Sequence, residues 1–270
     1  MIAFGRITLG QYYPSGSAIH RLDPRVKIGL VLLFTVAVFL MGNLWGLLLT
    51  AALMFALAKV AHLPIGRMLR SLWPLAYILI FTFLIHAIDV SGEGKEVLAS
   101  WGAFALTEKG LTAGAFFTLR LALLVVGASF LTLTTSPLEL TDGIEDLLRP
   151  LKPLRVPAHE IALTITIALR FVPTLLEEAE KIMKAQMSRG ADFESGNLFR
   201  RAANYLPLMV PLFVGAFRRA DELALAMEAR GYRGGEGRTR LRELKVGRPD
   251  LTAAGVVALS LGITITLGRL

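Results

Sequence analysis

The stretch KIGLVLLFTVAVFLMGNLWGLLLTAALMFALAK, Lys27 to Lys59, holds no charge between its two lysines, and Gly42-Asn43 interrupts it near the middle. As one helix it would be roughly 46 Å long at about 1.5 Å per residue, well beyond a hydrocarbon core of about 30 Å. Two short spans joined by a tight turn fit better. Each is marginal in length, so tilt, local thinning, or outward extension of the Lys27 and Lys59 ammonium groups must help. The bulk composition agrees with a membrane protein: 54% hydrophobic and only 19% charged residues among 270 lie outside the range of soluble domains. There is no cysteine, which excludes disulfides, zinc–thiolate sites and cysteine nucleophiles.

Working outward, Leu72–Ile88, Leu111–Thr135 and Leu251–Gly268 supply three more apolar segments of spanning length, for five in all. The first nineteen residues lack the basic start, apolar middle and small-residue cleavage site of a secretory signal, so the N-terminus is expected to be retained. Lys and Arg number four before the first span, three from Lys59 to Arg70, two from Asp89 to Lys109 and eighteen between Ser136 and Arg248; Arg120 and Arg269 complete the set. Because basic residues favour the cytoplasm, this places the N-terminus, the Lys59–Arg70 connection and the 136–248 region inside, and the acidic loop with Asp89, Glu93, Glu96 and Glu108 outside. The net charge of +8 is thereby assigned to topology and anionic lipid, not to nucleic acid.

The expected domains are 1–135 with four spans, 136–248 as a helical cytoplasmic region, and 249–270 as the last span. Ser136-Pro137-Leu138-Glu139 has the pattern of a helix start, with Ser136 as cap, Pro137 in the first turn and Glu139 closing a capping box. Leu140, Ile144, Leu147, Leu148 and Leu151 follow at helical spacing. A second helix is expected from about His159 to Arg189, apolar in its first half, then charged, with Glu177–Lys181 and Glu180–Lys184 four apart and a kink at Pro173. A third is expected from about Phe199 to Arg230, carrying Pro207 and Pro211.

The second and third helices finish alike, in KAQMSRGADF (Lys184–Phe193) and ALAMEARGYR (Ala224–Arg233). At an offset of forty-one, Ala179, Ala185, Arg189 and Gly190 match Ala220, Ala226, Arg230 and Gly231. Taken singly, each Arg-Gly reads as a stop signal, the arginine favourable at the helix C-terminus and the glycine a left-handed cap. A stop signal alone does not require the same residues twice. Two similar arginine tips on one basic face point to two similar receptors offering carboxylates or carbonyls to a planar guanidinium, most simply a dimer.

These residues resemble the transmembrane T component of energy-coupling factor transporters. The resemblance runs through HRLDPRVKI (His20–Ile28), the apolar spans, ALRFVPTLLEEAEKIMKAQMSRGADF (Ala168–Phe193) and AMEARGYR (Ala226–Arg233), and so covers nearly the whole chain. It implies an all-α integral membrane protein of a prokaryotic inner membrane, with about five transmembrane helices and three amphipathic coupling helices. It also implies two Ala-Arg-Gly-type signatures that seat on two ATP-binding-cassette ATPases: Ser188-Arg189-Gly190, where serine replaces alanine, and Ala229-Arg230-Gly231. A membrane-embedded S component, which selects a vitamin or metal ion, would be held by Leu140, Ile144, Leu147, Ala168, Val172, Leu206, Leu208, Val210 and Phe213, residues that equally serve packing between the helices. ATP and Mg would belong to the ATPases, leaving this chain without a cofactor and without catalysis.

Two other function classes fit the sequence less well. An intramembrane enzyme needs paired carboxylates, a metal-ligand cluster or a nucleophile beside a base, and the spans show none; there is also no GxxxxGK[ST] phosphate loop. A self-contained secondary transporter or channel would show broken helices or ionisable groups at mid-membrane, and Arg120 is the one such residue, lying either inside the fourth span or just before it. Asp23-Pro24-Arg25 reads as a helix cap with a basic flank. His86 and Asp89 lie three apart, too few for a metal site. Arg233, Arg238, Arg240, Arg242, Lys245 and Arg248 form a basic, glycine-containing linker suited to anionic headgroups.

Overall fold

The computed structural model describes residues 12–89, 97–101, 104–154, 156–193, 195, 197–234 and 244–267. Glu93 and Glu96, the linker residues Arg238, Arg240 and Arg242, and Arg269 lie outside the described residues. The helices are α1 (Pro24–Leu40), α2 (Leu44–Val60), α3 (Ile65–Arg70), α4 (Ala76–Ala87), α5 (Glu108–Thr134), α6 (Pro137–Leu148), α7 (Ala158–Ser188), α8 (Leu198–Asn204), α9 (Leu206–Ala229) and α10 (Arg248–Leu267). The fold is helical, as the sequence predicts. A small antiparallel ribbon is the exception: β1 (Ile88–Asp89), β2 (Val97–Trp101) and β3 (Phe104–Thr107), in the order β1-β3-β2, lie where a loop was expected.

Two compact units emerge, one within Gly10–Gly143 and Glu243–Leu270, the other within Ile144–Arg242. In the first, α1 and α2 are the two short helices expected of the opening stretch, each 17 residues long. Asn43 caps α2 by accepting from the Gly46 N–H at 2.8 Å. The third apolar segment is interrupted by a 3₁₀ turn at Trp73–Leu75, because Pro74 has no N–H to continue an α-helix. By length and composition, Ile65–Ala87, Glu108–Thr134, Ala158–Ser188 and Arg248–Thr266 are each long and apolar enough to cross a membrane, with Leu44–Val60 shorter. Helix α7 thus qualifies on its apolar half, although its second half is charged.

Helix α5 packs on α1, α2 and α4, and α10 packs on α1 and α2. The α1–α5 seam has a regular register. Lys27 and Phe34 of α1, with Met41 just past its end, meet Thr134, Gly127 and Arg120 of α5, and each step is seven residues. Seven-residue spacing keeps contacts on one helix face. At one end the buried Lys27 ammonium donates to the carbonyls of His20 (2.8 Å) and Thr134 (3.1 Å). At the other the Arg120 guanidinium donates to the Met41 carbonyl at 2.6 Å and lies 4.4 Å from the centre of the Phe116 ring. Each cation therefore sits at the C-terminal end of the opposite helix, where unsatisfied carbonyls and the dipole favour positive charge. In the middle, Phe34 fills the notch that Gly127 leaves. Arg120 is thus inside α5, twelve residues past its start, and level with the end of α1.

The HRLDPR stretch closes the same unit. Asp23 accepts from the Arg25 N–H at 2.9 Å and pairs with its guanidinium at 2.9 Å. The Asp23 N–H donates to Asp250 at the start of α10 (2.7 Å), and Arg25 donates to the Leu244 carbonyl (3.0 Å). Burial opposes ionisation of Asp23, but the hydrogen bonds and charge of Arg25, with the charge of Lys27, outweigh it and hold the carboxyl below its ordinary pKa. His20 is buried nearby. Its Nε2–H donates to the Tyr13 carbonyl (2.9 Å) and its Nδ1 accepts from the Ser17 hydroxyl (2.7 Å); burial lowers its pKa.

Candidate functional site

In the second unit, α7 and α9 pack against one another. The third predicted helix is divided: α8 ends at Asn204 and α9 begins at Leu206. Pro207 cannot donate to the preceding turn, so it takes a first-turn position, where no donor is needed. The capping box at Ser136 forms as the spacing predicts, Glu139 N–H to Ser136 Oγ at 3.3 Å and Ser136 N–H to Glu139 Oε2 at 3.1 Å.

The two Arg-Gly tips share one backbone geometry. Arg189 has φ −91° and ψ 8°, and Arg230 φ −85° and ψ 7°. Gly190 (φ +86°) and Gly231 (φ +76°) adopt the left-handed conformation, which costs glycine least. The Gly190 N–H donates to Met187 O and the Ala191 N–H to Gln186 O; equivalently, Gly231 donates to Glu228 O and Tyr232 to Met227 O. Both ends are therefore Schellman motifs, and the two bonds that define each motif are displaced by forty-one residues between them. Ser188, Arg189, Gly190, Ala229, Arg230 and Gly231 are all exposed.

The helices that carry the tips meet through a second repeat-related pair. The Arg219 guanidinium on α9 forms an ion pair with the Glu178 carboxylate on α7 at 2.7 Å, and these positions also differ by forty-one. A Cβ at Gly215 would come within 2.9 Å of Glu178 Oε1, so the glycine leaves room for the carboxylate. Advancing along α7 from Glu178 to Met183 moves back along α9 from Arg219 to Leu208, which clusters with Met183 and Phe193. The helices thus run antiparallel. This pairing depends on how α7 packs against α9, which neither helix's own pattern shows.

Helix α9 has two apolar faces of different fate. Leu208, Gly215 and Arg219 line the α7 side, whereas Leu206, Val210, Phe213 and Phe217 lie between 55% and 68% exposed. Of the predicted contact residues, Leu208 is buried in helix packing, Leu140 and Val172 are half-buried, and Ile144, Leu147, Ala168, Leu206, Val210 and Phe213 are exposed. Phe217 extends the stripe by one turn and was missed, although its four-residue spacing from Phe213 signals it. His86 is held by donation to the Thr82 carbonyl at 2.8 Å. Among the described residues no three or more His, Asp or Glu side chains gather as a metal site.

Together these features define a polytopic helical membrane subunit that presents a paired-tip helical segment ahead of its last membrane helix. The chain belongs to the CbiQ family, described as cobalt transport protein, which matches residues 15–241, and is a transmembrane component of energy-coupling factor transporters. Energy-coupling factor transporter transmembrane protein EcfT of Acidaminococcus fermentans is 53% identical over 263 residues, 97% of each chain. The protein of the same name from Thermosediminibacter oceani is 51% identical over 247 residues, 92% of each chain. That of Bacillus subtilis is 48% identical over 236 residues, 87% of this chain and 88% of its own.

Proposed function

We propose that this chain transmits ATP-driven motion from two cytoplasmic ABC-type ATPases to a membrane-embedded substrate-binding S component that takes up a vitamin or a metal ion. The observation that carries the reading is the repeated Schellman tip, with Arg189 and Arg230 both exposed in one backbone geometry. Two equal tips fit two equal grooves, in which each guanidinium engages carboxylates or carbonyls. ATP and Mg are held by the ATPases and this chain has no catalytic step. The apolar stripe through Leu206, Val210, Phe213 and Phe217, with Ile144, Leu147 and Ala168, receives the S component. The basic bias of the sequence orients the N-terminus and the coupling segment to the cytoplasm of a prokaryotic inner membrane.

Mechanically, nucleotide binding draws the two grooves together, and helices many turns long carry the displacement. Work is transmitted only if the contacts on the stripe differ between the two ATPase states. Co-expression with tagged ATPases tests this. Arg189→Glu and Arg230→Glu each weaken ATPase recovery and uptake while leaving membrane insertion intact, and the double variant loses both. Wild-type ATPase recovery from the double variant would refute the assignment.

A further inference from the structure

We infer that the Glu178–Arg219 ion pair is a positioning contact on a local two-fold axis of the α7–α9 pair, and that it fixes the separation of the two Arg-Gly tips. The inference rests on the coupling role proposed above but concerns a contact remote from both tips. When two antiparallel helices touch through equivalent residues of a repeat, the operation that exchanges the helices is a rotation about an axis through that contact. Glu178 lies eleven residues before Arg189, and Arg219 eleven residues before Arg230. Each arm is therefore about 16 Å long, and the tips stand no more than about 33 Å apart along the helices.

The same operation relates the two halves of a symmetric dimer, so the pair centres the tips on a partner with two-fold-related grooves. A pair that is 27% and 31% exposed contributes little to stability; its value is directional. The Gly215 notch admits the Glu178 carboxylate where a side chain would displace it, so sliding of α7 along α9 would drive the carboxylate out of the notch and away from Arg219. Approach of the ATPase grooves is thereby converted into rotation of the arms about the pair instead of slippage between them.

The absence of cysteine permits a direct test. Ala185 and Ala226 are equivalent and exposed, so Ala185→Cys and Ala226→Cys can carry spin labels for pulsed dipolar distance measurement on the full chain in nanodiscs, without ATPases. The parent gives one narrow distance peak. Glu178→Gln loses it, Gly215→Leu loses it while retaining both charges, and the reversed pair Glu178→Arg with Arg219→Glu regains it. Helical content and elution volume must match the parent, so that misfolding is not read as broadening. A narrow peak that survives either single variant overturns the inference. Co-expressed with the ATPases, Glu178→Gln retains their recovery but lowers uptake per ATP hydrolysed; unchanged coupling also overturns it. Loss of ATPase binding by the tip variants beside an intact peak response separates this contact from the broader functional reading.

Discussion

Alanine at Gly127 should change the sign of its effect according to the residue at position 34. A Cβ built on Gly127 lies 2.6 Å from Phe34 Cε1 and 2.8 Å from Cδ1, whereas carbon atoms in ordinary contact sit about 3.5–4.0 Å apart. The ring must therefore retreat by about 1 Å, yet Phe34 is only 5% exposed and packs in the core of the bundle. Such overpacking costs about 1–3 kcal/mol, and replacing a mid-helix glycine with alanine offsets about 1 kcal/mol of it. Gly127→Ala is thus destabilising by about 1 kcal/mol, a fall in unfolding midpoint of about 2–4 °C. In a Phe34→Leu background the ring is gone, the helix-propensity gain remains, and the same alanine raises the midpoint. Thermal unfolding of all four proteins in one detergent, followed by tryptophan fluorescence, gives the coupling as a double-mutant cycle. An equal shift of one sign in both backgrounds would refute the packing of Phe34 against Gly127.

Removing the ammonium with Lys27→Met orphans the His20 and Thr134 carbonyls, at about 1–3 kcal/mol each; calorimetry should show a clearly lower midpoint, and an unchanged one would contradict the bonding seen. Because burial lowers the His20 pKa below its ordinary value of about 6.5, the unfolded chain protonates first as pH falls. Stability is full above about pH 6.5 and declines as pH drops through that value toward the lowered folded pKa; His20→Asn should flatten this portion of a midpoint-versus-pH curve. Gly231→Ala meets no atom within 4 Å, so its cost of about 1–2 kcal/mol is conformational: hydrogen exchange should quicken at Gly231 and Tyr232 while the global midpoint stays put.

Local rules made much of this legible before any coordinates. The Gly42-Asn43 break, the Ser136 capping box and the two Arg-Gly ends depend on residues within five positions of one another, and each forms as its pattern predicts. The partners of Lys27 and Arg120 did not show in the sequence, because they depend on the register of α1 against α5, and the two lysine-to-threonine and arginine-to-methionine contacts span 107 and 79 residues. The break before α9 was within reach, since Pro207 cannot donate at a helix interior. The stripe of predicted contact residues could not be divided: α9 is apolar on both faces near Pro207, and only the position of α7 separates Leu208 from Leu206 and Val210.

The bond from the Asp23 N–H to Asp250 spans 227 positions and joins the helix that opens the bundle to the one that completes it. In terms of connectivity, the segment within Ile144–Arg242 is then a cassette spliced into a scaffold whose own seam is already sewn. Chimaeras that exchange this cassette between relatives, with junctions near Gly143 and Leu244, should keep their membrane scaffold while acquiring the donor's docking preferences.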